Sequence, residues 1–361
     1  MKNNQKKKIA ILYSGGRYFG GIEQYLVNLF EHINKDEFDL VLLSLGDWPL
    51  TKRLQKQNHQ VVLFSKKRVN LSAISEIGKY LEENKFDLLV SQGTVSNAYA
   101  RAISLFFKIP NLVTIHSTRE GDYKNKLIKL TYDLIEKVTR FSTSRYITVS
   151  KYLKNQLVKS GLPEKKIDVI YNGIDLVKPK ARDHKRLILG SVGRLHPVKG
   201  YDSLIKAFAM LDNKRLRLKI AGSGDELESL KSLARELDVN NRIEFVGFQT
   251  DVHKFLDTID VYVQPSKSEG FGLSVIEAMS HCLPVVVTPA GSLIEIVSNS
   301  KTGLVVSDFT PELLSKSIAK MVSNYELSKQ MGENAQRFVE QNFDIEKWVR
   351  KTEKVYKEAC L

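Results

Sequence analysis

Two cations set five residues apart, Arg194 and Lys199, stand in Ser191-Val-Gly-Arg-Leu-His-Pro-Val-Lys-Gly200, a segment that leaves an apolar run. Arginine grips phosphate oxygens through two parallel donors and lysine adds a compact charge, so the pair suits a pyrophosphate. Either residue alone would read as a solvated loop cation. The segment densest in chemistry is Gln264-Pro-Ser-Lys-Ser-Glu-Gly-Phe-Gly-Leu-Ser-Val-Ile-Glu-Ala-Met279. Gly270 and Gly272 bracket Phe271, and a helix starting near Leu273 would present the N–H groups of Gly272, Leu273 and Ser274 to an anion. Glu277 then lies four residues into that helix, roughly 6 Å along its axis, a reach that suits a ribose hydroxyl. Glu269 stays on the loop, free to accept hydrogen bonds from a sugar. A hydrolase acid/base pair would also use two carboxylates, and a glutamate early in a helix also answers its dipole.

Near the start of the chain, Gly15-Gly16 and Gly20-Gly21 flank a turn between an apolar run and an amphipathic one. Glycines there let backbone N–H groups approach a phosphate or sugar, and they equally serve a plain tight turn. The spacing is not G-x-G-x-x-G, and no acidic residue closes the run Leu40–Ser44, which counts against a nicotinamide enzyme. No Asp-x-Asp occurs and the seven histidines form no metal-spaced pair, so neither metal nor cofactor is expected. Cationic side chains and a helix terminus must then do the ion's work.

The elements that must position these residues follow from periodicity. Short β-rich apolar runs alternate with longer amphipathic stretches, which predicts parallel sheets covered by helices on both faces. Strands are predicted at Ile9–Tyr13, Leu40–Ser44, Val61–Phe64, Leu88–Ser91, Leu112–Ile115 and Tyr146–Val149, with helices near 22–34, 71–84, 94–107 and 124–140. The alternation then restarts, with strands at Leu187–Val192, Leu216–Ala221, Ile243–Phe245, Val261–Gln264 and Val285–Val287. A polar, proline-bearing stretch near 176–186 separates the halves. The expectation is two doubly wound α/β domains, 1–178 and 187–342, and a terminal helix in 343–361 whose apolar positions Ile345, Trp348, Val349, Val355 and Tyr356 share one face. A chain of 361 residues exceeds what one core usually organises. Ligands of such sheets gather at the carboxyl ends of the strands, in the cleft that two such domains would form.

The run Glu269-Gly-Phe-Gly-Leu-Ser-Val-Ile-Glu277 resembles the E-x7-E motif of retaining glycosyltransferases of family 4. Gly193-Arg194 with Lys199-Gly200 is similar to that family's phosphate loop, and nearly the whole chain follows its order. Gly20-Gly21-Ile22-Glu23, Thr114-Ile-His116, Val149-Ser150, Val169-Ile-Tyr-Asn-Gly-Ile-Asp175, Ala221-Gly-Ser-Gly224 and Gly291 with Glu295 all take part. Ala290-Gly291 departs from a glycine pair common in the family. The resemblance implies the GT-B fold, with an acceptor-binding first domain, a second domain holding the nucleotide sugar, and a terminal helix packing back on the first. It implies that Arg194 and Lys199 neutralise the donor pyrophosphate, a fixed-charge stabilisation of the transition state. By the same likeness Glu277 holds the ribose, while Glu269 and the backbone at Phe271, Gly272 and Leu273 orient the sugar. His116 contacts that sugar near the reacting carbon, and Gly16 approaches the phosphates. Gly222 and Gly247 fall in strand-end segments that are candidates for the base pocket. Glu23 and Glu295 match by position without an assigned chemistry.

The implied activity is retaining, metal-independent transfer of a hexosyl or N-acetylhexosaminyl group from a UDP- or GDP-sugar to a lipid-linked or growing-glycan acceptor, in surface polysaccharide or glycolipid assembly. A nucleotide-sugar epimerase or phosphorylase of the same architecture, or a polyanion-binding protein, are the alternatives. Charge adds a partner. Residues 1–180 hold 30 Lys+Arg against 17 Asp+Glu, net +13, and the remainder 25 against 24, net +1. One-sided charge of this kind suits an anionic membrane surface, while the half lacks the aromatic-plus-basic pattern of a nucleic-acid module. Candidate contacts are Lys66-Lys-Arg68 and the segment Lys124–Lys137, whose Leu127, Leu130, Leu134 and Ile135 are expected to pack on the sheet. Only Cys282 and Cys360 occur, and Lys2 with Lys6–Lys8 precede too short an apolar run for a signal peptide, so the chain reads as cytoplasmic. Stretches such as Leu283–Val287 are far below the roughly 18 residues of a spanning helix, so membrane contact would be peripheral.

Overall fold

The computed structural model describes residues 6–64, 72–118, 126–178 and 187–360. They fall into two compact units, one drawn from Met1–Gly173 with Ile345–Leu361 and the other from Ile174–Asp344.

The first unit runs β1 (Lys7–Tyr13), α1 (Gly21–His32), β2 (Phe38–Ser44), α2 (Pro49–Lys56), β3 (Gln60–Leu63), α3 (Ser72–Glu83), β4 (Leu88–Gln92), α4 (Thr94–Phe107), β5 (Asn111–Ile115), α5 (Lys126–Thr139), β6 (Arg145–Thr148), α6 (Lys151–Lys159) and β7 (Ile167–Val169). Its sheet is parallel, in the order β3-β2-β1-β4-β5-β6-β7, with Ile9 opposite Leu40 on one side and Leu88 on the other. Ile9 through Tyr13 are all buried, as in any parallel strand covered on both faces. Alternation within β1 sorts them: Ile9, Ile11 and Tyr13 join the core under α1, and Ala10 and Leu12 join the one under α3 and α4.

The second unit runs β8 (Ile188–Val192), α7 (Tyr201–Ala209), β9 (Arg217–Ala221), α8 (Leu227–Glu236), β10 (Ile243–Gly247), α9 (Val252–Leu256), β11 (Val261–Gln264), α10 (Leu273–Ser280), β12 (Val285–Val287), α11 (Leu293–Ile296), β13 (Gly303–Val305), α12 (Pro311–Ser323) and α13 (Tyr325–Asn342). Its six parallel strands lie in the order β10-β9-β8-β11-β12-β13.

The last helix, α14 (Ile345–Ala359), belongs to the first unit. Ile345, Trp348, Val349, Val355, Tyr356 and Ala359 recur at helical spacing and join the core of α1 and β1. Polar contacts fix its register: Glu353 Oε1 accepts the Asn34 N–H at 2.7 Å, and Arg145 Nη1 reaches Glu358 at 2.8 Å. One expectation fails. On α5, Leu130, Leu134 and Ile135 are exposed instead of packed on the sheet. Leu127 has no described side chain, and Lys66–Arg68 and Lys124 lie outside the described residues.

Candidate functional site

In the second unit the strand order reverses between β8 and β11, the place where open α/β sheets leave a crevice at their carboxyl ends. Both chemistry-bearing segments leave from there. The β8–α7 connection carries Arg194 and Lys199, and the β11–α10 connection carries Glu269 and leads to Glu277. Arg194 is exposed, with no hydrogen-bond or ion-pair partner among the described residues. Lys199 Nζ donates to Glu269 Oε2 at 2.7 Å, the two side chains being 21% and 13% exposed.

Glu269 is held by a relay that the sequence did not announce. Tyr262 OH donates to Gln264 Oε1 at 2.6 Å, Gln264 Nε2 to Ser266 Oγ at 2.7 Å, and Ser266 Oγ to Glu269 Oε2 at 3.1 Å. Ser274 Oγ, in the first turn of α10, joins Gln264 Oε1 at 3.2 Å. Ser292 Oγ ties the loop from the other side by donating to the Phe271 carbonyl at 2.9 Å. A polar Gln264 closing an otherwise apolar strand was the available signal, because a buried amide must find partners.

Gly272 caps α10 at φ +97°, where a Cβ would also lie 2.6 Å from Leu293 Cδ2. Only glycine takes that backbone without strain, and it leaves the N–H groups of Leu273 and Ser274 without intrahelical partners. Phe271 is buried edge-on against Phe343, centroids 5.7 Å apart, so it offers a ligand its backbone alone. Glu277 is half-buried, and its carboxyl has no hydrogen-bond partner among the described residues. Desolvation there pushes it up to about 8.

The neighbouring strand ends are interlocked. Gly193 N–H donates to Ala221 O at 3.0 Å, Leu195 N–H to Ser223 O at 2.9 Å, and Gly222 N–H to Gly247 O at 2.8 Å. At Gly222, φ is +145° and a Cβ would sit 1.9 Å from Gly193 O, so the β9 loop can approach the Arg194 loop only as glycine. Gly247 is exposed, with open space where a Cβ would point.

The first unit places His116 just past β5, its Nε2 hydrogen-bonded to Gln92 Oε1 at the end of β4. Its ring meets Tyr25 edge-on at 4.7 Å, and Tyr25 in turn meets Trp348 of α14 at 4.9 Å. Burial pushes the imidazole down to about 3, which keeps it neutral. His116 lines a cavity of about 410 Å³ with Thr94 and Asn97 of α4, and with Lys137 and Arg140 at the end of α5. Of those four only Lys137 was named from sequence, as part of a membrane-facing segment and not of a cavity. Gly16 has open space around its Cα. Glu23 acts structurally: it accepts from the buried Tyr13 hydroxyl, and from the Gly20 N–H at 2.8 Å as a cap for α1. Thus Arg194, Lys199, Gly222, Gly247, Glu269, Phe271, Gly272, Leu273 and Glu277 share the second unit, and Gly16 and His116 the first. Among the described residues no three His, Cys, Asp or Glu side chains could hold a metal ion. No described helix is long and apolar enough to cross a membrane.

Comparison with known proteins bears on this geometry. Residues 174–338 match the family model described as Glycosyl transferases group 1, and residues 19–178 match Glycosyltransferase Family 4. An uncharacterized glycosyltransferase of Methanocaldococcus jannaschii is 31% identical over 94% of this chain and 95% of its own length. The UDP-Gal:alpha-D-GlcNAc-diphosphoundecaprenol alpha-1,3-galactosyltransferase of Escherichia coli is 25% identical over 93% of each chain. Among solved structures, Anabaena HepE in complex with UDP and glucose matches with a TM-score of 0.86 at 20% identity, covering 97% of this chain and 99% of that one.

Proposed function

The chain belongs to glycosyltransferase family 4, with the GT-B fold, and on that premise we propose that it transfers, with retention, a hexosyl or N-acetylhexosaminyl group from a UDP- or GDP-sugar. The acceptor in this reading is a lipid-linked or growing glycan, and the setting is assembly of a surface polysaccharide or glycolipid. The diphosphoundecaprenol-linked acceptor in the Escherichia coli relative's name supports the lipid-linked choice.

The observation that carries the reading is the set of groups at the strand reversal of the second unit. Arg194 and the Glu277 carboxyl, both without a partner among the described residues, the Lys199–Glu269 pair and the open N–H groups at the start of α10 all lie on the segments that follow β8 and β11. We assign the pyrophosphate to Arg194, Lys199 and the N–H groups of Leu273 and Ser274. As the bond from sugar to phosphate breaks, its electron pair stays on the phosphate oxygen, where two fixed cations stabilise it without a metal ion. Glu277 takes the ribose hydroxyls. Glu269, pre-positioned by Lys199 and Ser266, accepts from hydroxyls of the transferred sugar. Gly16 lies by the phosphates, Gly222 and Gly247 by the base, and neutral His116 meets the sugar. The basic first half docks on the anionic cytoplasmic face of a membrane, where a lipid-linked acceptor is presented.

The test is donor consumption with purified protein and UDP- and GDP-sugars, with and without a polyprenyl-diphosphate-sugar acceptor. Loss of donor only with acceptor, with the product's anomeric configuration retained, is expected. Donor conversion without acceptor, to an epimer or a sugar phosphate, would replace this reading with the epimerase or phosphorylase.

A further inference from the structure

The first unit leaves an uncommon amount of apolar surface open at one place. Leu130, Leu134 and Val138 follow one another at intervals of four along α5 and are 65%, 60% and 60% exposed. Phe141, in the turn after α5, is 69% exposed, and Phe106, at the end of α4, 75%. These elements are fastened together: Arg101 of α4 lies 3.8 Å from Glu136 of α5, and Ser142 Oγ donates to the Arg101 carbonyl at 3.3 Å. Leu130, Leu134 and Val138 therefore share one face of α5, Phe141 follows in the next turn, and Phe106 stands on the helix fastened to them. Contiguous exposed apolar area of this kind marks a place where something binds.

Charge decides what binds. Residues 101–166 carry 14 Lys+Arg against 5 Asp+Glu, net +9. Lys108, Lys137, Lys151 and Lys159 are exposed, whereas the described acids of the stretch are engaged, Glu136 with Arg101 and Glu164 with Lys154. A second copy of the chain would bring the same positive field and be repelled. An anionic bilayer offers an apolar interior beneath a layer of negative charge, which matches an apolar stripe flanked by lysines.

We propose that the outer face of α5, the turn at Phe141 and the end of α4 form an insertion surface that enters the headgroup–acyl boundary of an anionic membrane. This deepens the membrane docking proposed above, converting attraction by charge alone into insertion by named side chains. It needs neither donor nor acceptor.

The test uses the full chain with vesicles of phosphatidylcholine alone and of phosphatidylcholine with equimolar phosphatidylglycerol. The wild type is expected to co-sediment with the anionic vesicles, and a Phe141→Trp variant to be quenched there by lipids brominated near the top of the acyl chain. Leu134→Ser with Val138→Ser, both exposed and outside any core, should lower partitioning by about tenfold or more while leaving the thermal unfolding midpoint unchanged. If the wild type binds but Phe141→Trp is unquenched and the double variant binds equally, the insertion surface is overturned while docking by charge stands. If no vesicle is bound even at low salt, both are overturned. If the double variant instead dissociates an oligomer of the wild type without changing vesicle binding, the surface is a contact between copies, and the proposal fails.

Discussion

Replacing Glu277 by glutamine should make the empty protein more stable at alkaline pH and, at the same time, weaken its hold on nucleotide. An ordinary glutamate titrates near 4.3, but desolvation beside α10 pushes this one up to about 8. Between those two values the native state keeps a proton that the unfolded chain has given up, so native stability falls as pH rises through the window. Sealed from water, the difference would be worth about 5 kcal/mol above pH 8. Glu277 is half-buried, water screens much of the charge, and about 2 kcal/mol is expected. Thermal unfolding of wild type and Glu277→Gln at matched pH isolates the effect, since other titrating groups cancel in the difference. The two should coincide near pH 3, where Glu277 is protonated in the folded and the unfolded chain alike, begin to diverge above pH 4, and differ by about 2 kcal/mol in the variant's favour near pH 9. Calorimetry with UDP at pH 9, where Glu277 is ionised, should show the opposite preference, about a tenfold loss of affinity in the variant, because an amide supplies one acceptor oxygen where the carboxylate supplies two. Parallel pH curves would refute the buried-carboxyl reasoning. Unchanged affinity for UDP would refute the ribose assignment alone.

Arg194→Ala and Lys199→Ala should each cost about 10²–10³ in turnover, measured by donor consumption, as expected for charges aimed at a leaving group; the exposed Arg194 should go with no change in unfolding midpoint, whereas loss of Lys199 leaves Glu269 unpaired and should lower it. Glu269→Gln should reduce kcat more than Glu277→Gln does; the reverse order would exchange the sugar and ribose roles. Exhaustive chelation should leave activity unchanged, and a loss restored by one particular divalent ion would contradict the all-side-chain site. Gly222→Ala should destabilise the second unit by about 2 kcal/mol or more in unfolding experiments and abolish UDP binding, since its Cβ would lie 1.9 Å from Gly193 O.

Elements whose burial is two-sided were legible. Val261–Gln264 and Val285–Val287 match their strands residue for residue, because a strand covered on both faces must be an unbroken apolar run. The terminal helix was equally plain, its apolar residues recurring at helical spacing and all turned to one core. Two other three-residue strands were not. Ile167–Val169 and Gly303–Val305 carry too few residues for any period and are defined by their neighbours, β6 and β12. Helix α2 was missed for another reason: Leu50 and Leu54 are its only buried apolar residues, a stripe too narrow to stand out beside four charged or amide side chains.

At the candidate site, legibility followed the division between groups proposed to act and groups that hold. Arg194, Lys199, Glu269 and Glu277 could be nominated because paired charges on two glycine-bearing segments at strand ends suit a phosphate and a sugar, although a single charge at a helix start can be structural, as Glu23 is. Gln264, Ser266 and Ser274 could not, because their role is the geometry of one carboxylate and exists only once β11 and the first turn of α10 are in place. The same reasoning accounts for α5. Its apolar spacing is what a core-facing helix would show, and sequence periodicity reports that a face is apolar without reporting what it faces. In α14 that face meets β1 and α1, and in α5 it meets solvent. The two helices differ less in pattern than in whether the chain has spare apolar surface left to cover them, and the basic residues around α5 are where a partner's charge would complete what the fold leaves open.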